Sequence, residues 1–173
     1  MVRIPPVTTR EALPADKRHV YDEIAGTRGK VQGPYPVLLN SPELAGRVGH
    51  LGAYIRYDSV PPQVDRELAI LATAQEWRCK VEWALHEPIA RQVGVRNQAI
   101  QVCVAFAPTH TLTPDEALII HFVRELIRDK RVSPATFQAA HKKYGDKGVV
   151  DLTALIGYYG MLACVLNAFE ITA

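Results

Sequence analysis

The sequence predicts an all-α fold, and three observations carry that prediction. Apolar residues recur at intervals of three and four through most of the chain, the period of a helix face. The pairs Ser41-Pro42, Thr113-Pro114 and Ser133-Pro134 stand just ahead of such runs, each a capping side chain followed by a proline suited to the first helical position. Short alternating apolar-polar runs and two-residue hairpin turns between apolar strands are missing. With 173 residues, 48% of them hydrophobic and 22% charged, the chain is long enough for a sizeable core and too apolar to be disordered. It reads as one compact multi-helix domain over 1–173, with residues 1–10 as an arm on the surface or on a neighbouring subunit.

The elements follow in order. A first helix is expected from Leu13-Pro14-Ala15-Asp16 to about Ala25, with Val20, Tyr21 and Ile24 on one side. Residues 27–36, rich in glycine and proline, read as a loop. Ser41-Pro42-Glu43 opens a helix with Leu44, Val48, Leu51 and Ile55 at helical spacing, ending near Asp58-Ser59. Pro61-Pro62 starts another, reaching about Trp77. The next, from about Cys79 to Val93, contains Pro88, which should bend or divide it, and Gly94 ends it. A shorter helix spans Arg96 to Ala105. Thr113-Pro114-Asp115-Glu116 has the pattern of a capping box. Ser133-Pro134 begins a helix to Tyr144 that Gly145 closes, and a long final helix follows.

Charge and cysteine content narrow the class. Twenty Lys and Arg face eighteen Asp and Glu, and the cations are scattered among the acids, so no concentrated basic face for nucleic acid is expected. Cys79, Cys103 and Cys164 are an odd set without metal-site spacing, as suits a reducing cytoplasm. The start Met-Val-Arg-Ile-Pro-Pro lacks a signal-peptide apolar core. Leu152 to Phe169 carries no formal charge, but its polar content and length favour a buried helix over a membrane span.

Candidate chemistry lies between Arg66 and His86. At roughly 100° per residue, Glu82 and His86 are about 40° apart around a helix, with Cys79 within about 60° of both. That places a thiol, a carboxylate and an imidazole on one face. Glu67, on the preceding helix among apolar neighbours, becomes a proton carrier if desolvation raises its pKa. The plain alternatives are a surface Glu82–His86 pair, a Glu67–Arg66 salt bridge and an inert Cys79. Trp83 is a packing residue or a pocket wall. His19, His50, His110, His121 and His141 stand singly, so no metal site is assigned.

The order Arg66-Glu67-Leu68-Ala69-Ile70-Leu71, then Cys79, Glu82-Trp83 and His86, resembles the core of the carboxymuconolactone decarboxylase and alkylhydroperoxidase D superfamily. The likeness extends to Gly33-Pro34-Tyr35 and Leu38-Leu39-Asn40-Ser41-Pro42-Glu43-Leu44 before it, and to Gly157-Tyr158-Tyr159, Met161-Leu162 and Leu166-Asn167 after it. The resemblance implies an all-helical subunit assembled as a homotrimer or homohexamer, with pockets near subunit interfaces and no bound cofactor. In alkylhydroperoxidase D the working groups are a glutamate, a Cys-x-x-Cys pair and a histidine. Glu67, Cys79 and His86 match the glutamate, the first cysteine and the histidine, whereas Glu82 stands in place of the second, attacking cysteine.

That departure favours the decarboxylase-like branch, a lyase acting on a small cyclic carboxylate or lactone acid from aromatic degradation. His86 is then the acid, Glu82 orients it and Glu67 relays or polarises. Trp83, Arg78, Arg28 and Tyr35 are candidate substrate-binding residues. The cation for a carboxylate lies among Arg28, Lys30, Arg47, Arg56 and Arg78. The alternatives are a single-cysteine thiol peroxidase using Cys79, and a non-catalytic oligomer that binds a small acid or a partner protein.

Overall fold

A computed structural model describes residues 2–172, and among these the secondary structure is helical, without strands. Two 3₁₀ turns, Arg10–Ala12 and Ala15–Lys17, precede α1 (Arg18–Arg28). Then come α2 (Tyr35–Leu38), α3 (Pro42–Ala53) with a π-helical turn Tyr54–Asp58, α4 (Gln63–Glu76) and α5 (Lys80–Gln92). Finally, α6 (Asn97–Val104), α7 (Pro114–Arg124) with a second π-helical turn Glu125–Asp129, and α8 (Pro134–Ala168) complete the bundle. The arm expected at 1–10 lies, over its described residues 2–10, against the subunit itself. Arg3 N–H donates to the Phe169 carbonyl at 3.2 Å and Val7 N–H to that of Pro36 at 2.7 Å; Met1 falls outside the described residues.

Helix α4 is the centre, packed on α5, α6, α7 and α8. From Glu67 to Ala74 the sequence Glu-Leu-Ala-Ile-Leu-Ala-Thr-Ala is apolar nearly all round, and every one of these residues is buried. A helix without a polar face has to be enclosed. Burying Leu68, Ile70 and Leu71 together, at about 1.5 to 3 kcal/mol each, is what carries the Glu67 carboxylate inside.

Several expectations are corrected. The first helix begins at Arg18 rather than Leu13, because Pro14 is held extended (φ −50°, ψ 144°), and it runs on to Arg28. Residues 27–36 are not wholly loop, since Pro34 takes a helical φ of −75° ahead of the short helix α2. Leu44 and Leu51 are exposed, while Ala45, Val48, Gly49 and Gly52 form the buried face of α3. Those small residues let α1 approach: a Cβ built on Gly49 would lie 3.2 Å from Ile24. Pro88 does not divide α5, which runs from Lys80 to Gln92. Both Pro88 and Ala84, whose carbonyl loses its partner, are exposed, so the loss falls on the solvent side of the helix.

Other signals match the structure. Thr113 and Glu116 form the capping box, with Glu116 N–H donating to Thr113 Oγ1 at 3.3 Å and Thr113 N–H to Glu116 Oε2 at 3.0 Å. Gly145 (φ 68°, ψ −178°) breaks α8 where the sequence predicts a helix end. Among the described residues α8 alone is long and apolar enough to cross a membrane, yet 61% of its apolar window is buried inside the subunit.

Candidate active site

Glu67 reaches outward from α4 to His86 on α5, with Oε2 at 2.7 Å from Nδ1. One turn back on α5, Glu82 places Oε2 at 3.6 Å from the other ring nitrogen, Nε2. All three residues are buried. Tyr159 of α8 meets the imidazole edge to face, with ring centroids 5.0 Å apart. The ring is thus fixed by a carboxylate on each side and an aromatic wall. Because Glu67 and Glu82 address opposite nitrogens they cannot converge on one ion, and among the described residues no three His, Cys, Asp or Glu side chains are grouped to hold a metal.

His86 and Glu82 open into a cavity of about 70 Å³. Its polar wall is made by Arg28, Tyr35, Arg56, Tyr158 and Tyr159, and its apolar wall by Leu85, Ile89 and Leu162. Some of these polar groups are committed to the fold. Arg28 donates to the Gly49 carbonyl at 3.0 Å and stacks on Tyr35, 4.6 Å from its centroid. Tyr158 donates to the Val48 carbonyl at 3.1 Å, so in its 2.8 Å contact with Tyr35 the donor is Tyr35. Others are uncommitted. Among the described residues, Arg56 makes no hydrogen bond or ion pair and lies only over the Tyr57 ring, 5.5 Å from its centroid, and the buried Glu82 Oε1 has no partner. An orphaned buried polar atom on a cavity wall is a place for a ligand atom or water.

Burial pushes the Glu82 carboxyl above its usual range, opposed by His86 and Arg56 and reinforced by Glu67. Burial likewise raises Tyr35 and Tyr159, the latter well above its usual value. Burial alone would lower Arg56, but Tyr159, Tyr57, Glu67 and Tyr35 outweigh it and hold the guanidinium charged.

Cys79, expected on the same face as Glu82 and His86, does not join them. It is the residue before the first turn of α5, at φ −88° and ψ 94°, so helical angles do not apply to it. Its thiol packs with Val81, Ala163 and Leu166 and borders a separate pocket of about 430 Å³. Burial raises its pKa despite the nearby Glu82 and Val81 amides. Trp83 and Arg78, expected at the substrate, line that second pocket instead, and Trp83 donates to Glu87 at 3.2 Å. Arg66 donates to the Ser59 and Pro61 carbonyls, leaving Glu67 to His86. The site residues not singled out from sequence are Tyr158, Tyr159 and, within its group of five cations, Arg56. The signals were a tyrosine pair in an uncharged helix and an arginine inside the apolar run Tyr54-Ile55-Arg56-Tyr57.

Residues 42–124, which include Glu67, Cys79, Glu82 and His86, match the model of the carboxymuconolactone decarboxylase family. No curated protein matches the chain in sequence. Solved structures share the fold at low identity. A peroxidase-related protein with an alkylhydroperoxidase AhpD core from Ralstonia eutropha JMP134 is 19% identical, with a TM-score of 0.80 over 99% of this chain and 91% of that one. A peroxidase-related protein from Silicibacter sp. TM1040 is 16% identical, with a TM-score of 0.74 over 97% and 91%. A debrominase solved with 2,3,4-tribromopyrrole is 14% identical, with a TM-score of 0.76 over 96% and 89%. Over residues 42–124 the chain is similar to the carboxymuconolactone decarboxylase family, and as a whole it has the alkylhydroperoxidase D-like fold.

Proposed function

We propose that this chain is an acid–base enzyme of the decarboxylase-like kind, acting on a small cyclic carboxylate or lactone acid. The observation that carries the reading is the buried line Glu67–His86–Glu82 ending in a cavity beside an unpaired arginine. Arg56 is the carboxylate anchor, because it is charged, faces the cavity and, apart from lying over the Tyr57 ring at 5.5 Å, has no hydrogen-bond or ion-pair partner among the described residues. The Tyr159 hydroxyl stands ready beside it.

In the reaction the bond from ring carbon to carboxylate breaks, CO₂ leaves, and the electron pair is held in the conjugated ring until a proton reaches carbon. Glu67 fixes the orientation of the His86 ring through Nδ1. Glu82, whose neutral form burial favours, offers its unpartnered Oε1 to substrate and is recharged through Oε2 from His86 Nε2. The roles read from sequence are thereby exchanged, with Glu67 orienting and Glu82 handing over the proton. The test is CO₂ release from a panel of small cyclic carboxylic acids. Release that disappears in Arg56→Gln and His86→Ala supports the reading, and release unaffected by both removes it.

A second reading is favoured by one arrangement. Cys79 stands at the N-terminus of α5 beside an apolar pocket, and two of the similar structures are named peroxidase-related. Here the Cys79 thiolate would attack a peroxide O–O bond, releasing alcohol, and an external thiol would reduce the sulfenic acid. Thiol-dependent peroxide consumption lost in Cys79→Ser would establish it.

A further inference from the structure

Arg56 lies in the middle of the π-helical turn Tyr54–Asp58, where the regular α-helical ladder of α3 has ended. A turn of this kind does not by itself fix the direction of a long side chain. Tyr57, under the Arg56 guanidinium, donates to the Thr27 carbonyl at 3.1 Å and Arg66 donates to the Ser59 carbonyl at 3.1 Å, but two ties from this segment meet on a single carboxylate of α8. Asp151 Oδ1 accepts the Tyr54 hydroxyl at 3.0 Å, while Oδ2 accepts the Val60 N–H at 2.9 Å and Lys147 Nζ at 3.0 Å. Lys147 closes the group by donating to the Tyr54 hydroxyl at 2.8 Å. Residues 54 and 60, on either side of Arg56, therefore converge on one buried side chain.

The placement has a further consequence for the cavity. Asp151 and Tyr159 sit on the same unbroken part of α8, about two turns apart. Both the anchor's turn and the wall opposite it are thus referred to one rod. A carboxylate that served only to join α8 to a loop would need one donor, whereas this one takes three, two of them from the segment that carries Arg56. Burial would raise the Asp151 carboxyl, but the bonds from Val60, Lys147 and Tyr54 more than offset it and keep it ionised.

We propose that Asp151 is the positioning residue for Arg56, clasping residues 54–60 so that the guanidinium projects into the cavity at a fixed distance from Tyr159. The inference rests on the reading of Arg56 as the anion anchor. Its test is nitrogen-15 NMR of arginine side chains in the full-length protein, with the Arg56 Nε–H signal assigned by its loss in Arg56→Gln and acetate as the probe anion.

In Asp151→Ala and Tyr54→Phe the Arg56 signal should move while the His86 ring signals stay in place. Half-saturation by acetate should rise roughly tenfold in the first variant and less in the second. An Arg56 signal at its wild-type position in Tyr54→Phe, or in a folded Asp151→Ala, overturns the clasp. If Asp151→Ala does not fold, Tyr54→Phe decides alone, since it keeps the Val60 and Lys147 bonds. Acetate that leaves the wild-type Arg56 signal unmoved overturns the anchor reading instead, and the variant signals still decide the clasp.

Discussion

At the scale of single residues, the account depends on the protonation of one buried pair. His86→Ala should lower turnover by at least about a hundredfold, the contribution typical of a positioned acid, with helical signal and assembly unchanged. Glu67→Gln should be damaging too, because it is bonded to the ring at 2.7 Å and not to Arg66. Glu82 separates function from stability. Its raised carboxyl pKa means that the folded chain keeps a proton which the unfolded chain releases nearer pH 4.5. Stability therefore falls as pH rises from there through the folded value, and the full penalty remains above it. Glu82→Gln should abolish turnover yet raise Tm by about 2–4 °C at pH 8, with a smaller gain at pH 4, in parallel thermal melts. The i, i+4 spacing made the Glu82–His86 pair legible in the sequence. The same spacing misplaced Cys79 on that face, because Cys79 stands outside the helix at non-helical φ and ψ, and it carried no signal for Glu67's bond, which crosses between helices.

Among the elements, α3 shows how small residues make room for the site. A Cβ on Gly52 would collide with the Tyr158 hydroxyl and lie 2.7 Å from an Arg28 nitrogen. Gly52→Ala should therefore displace both side chains and cost about 1–3 kcal/mol, measured by urea denaturation, with loss of substrate binding as the cavity wall shifts. An unchanged midpoint would show that the wall yields freely. Helix starts at Thr113 and Ser133 were legible because their side chains cap the first turn, and the start at Pro42 because proline suits the first helical position, although the Ser41 side chain makes no capping bond. The buried face of α3 was not. Leu44 and Leu51 suggest an apolar stripe, but the interior side is decided by where α1 can approach, along Gly46 and Gly49.

For the whole molecule, we expect a homotrimer or homohexamer. The uncharged stretch from Leu152 does not supply the interface, because Leu152, Leu155, Ile156, Leu162 and Leu166 are buried in the subunit's own core. Apolar surface lies elsewhere, at exposed Leu44, Leu51, Tyr54, Tyr57, Val60 and Val64 in and after α3, and at Trp77, Val104 and Phe106. Light scattering should give a multiple of the 19.2 kDa chain, and a 19.2 kDa particle at micromolar concentration would contradict the expectation.

Whether proton transfer at His86 or thiol chemistry at Cys79 is the activity is decided most directly by one paired assay. CO₂ release from small cyclic carboxylic acids is followed in wild type, His86→Ala and Cys79→Ser, with thiol-dependent peroxide consumption measured on the same preparations. The account predicts release by the wild type, at least about a hundredfold less from His86→Ala and a near-wild-type rate from Cys79→Ser. No release from any acid, together with peroxide consumption that vanishes in Cys79→Ser, would contradict it.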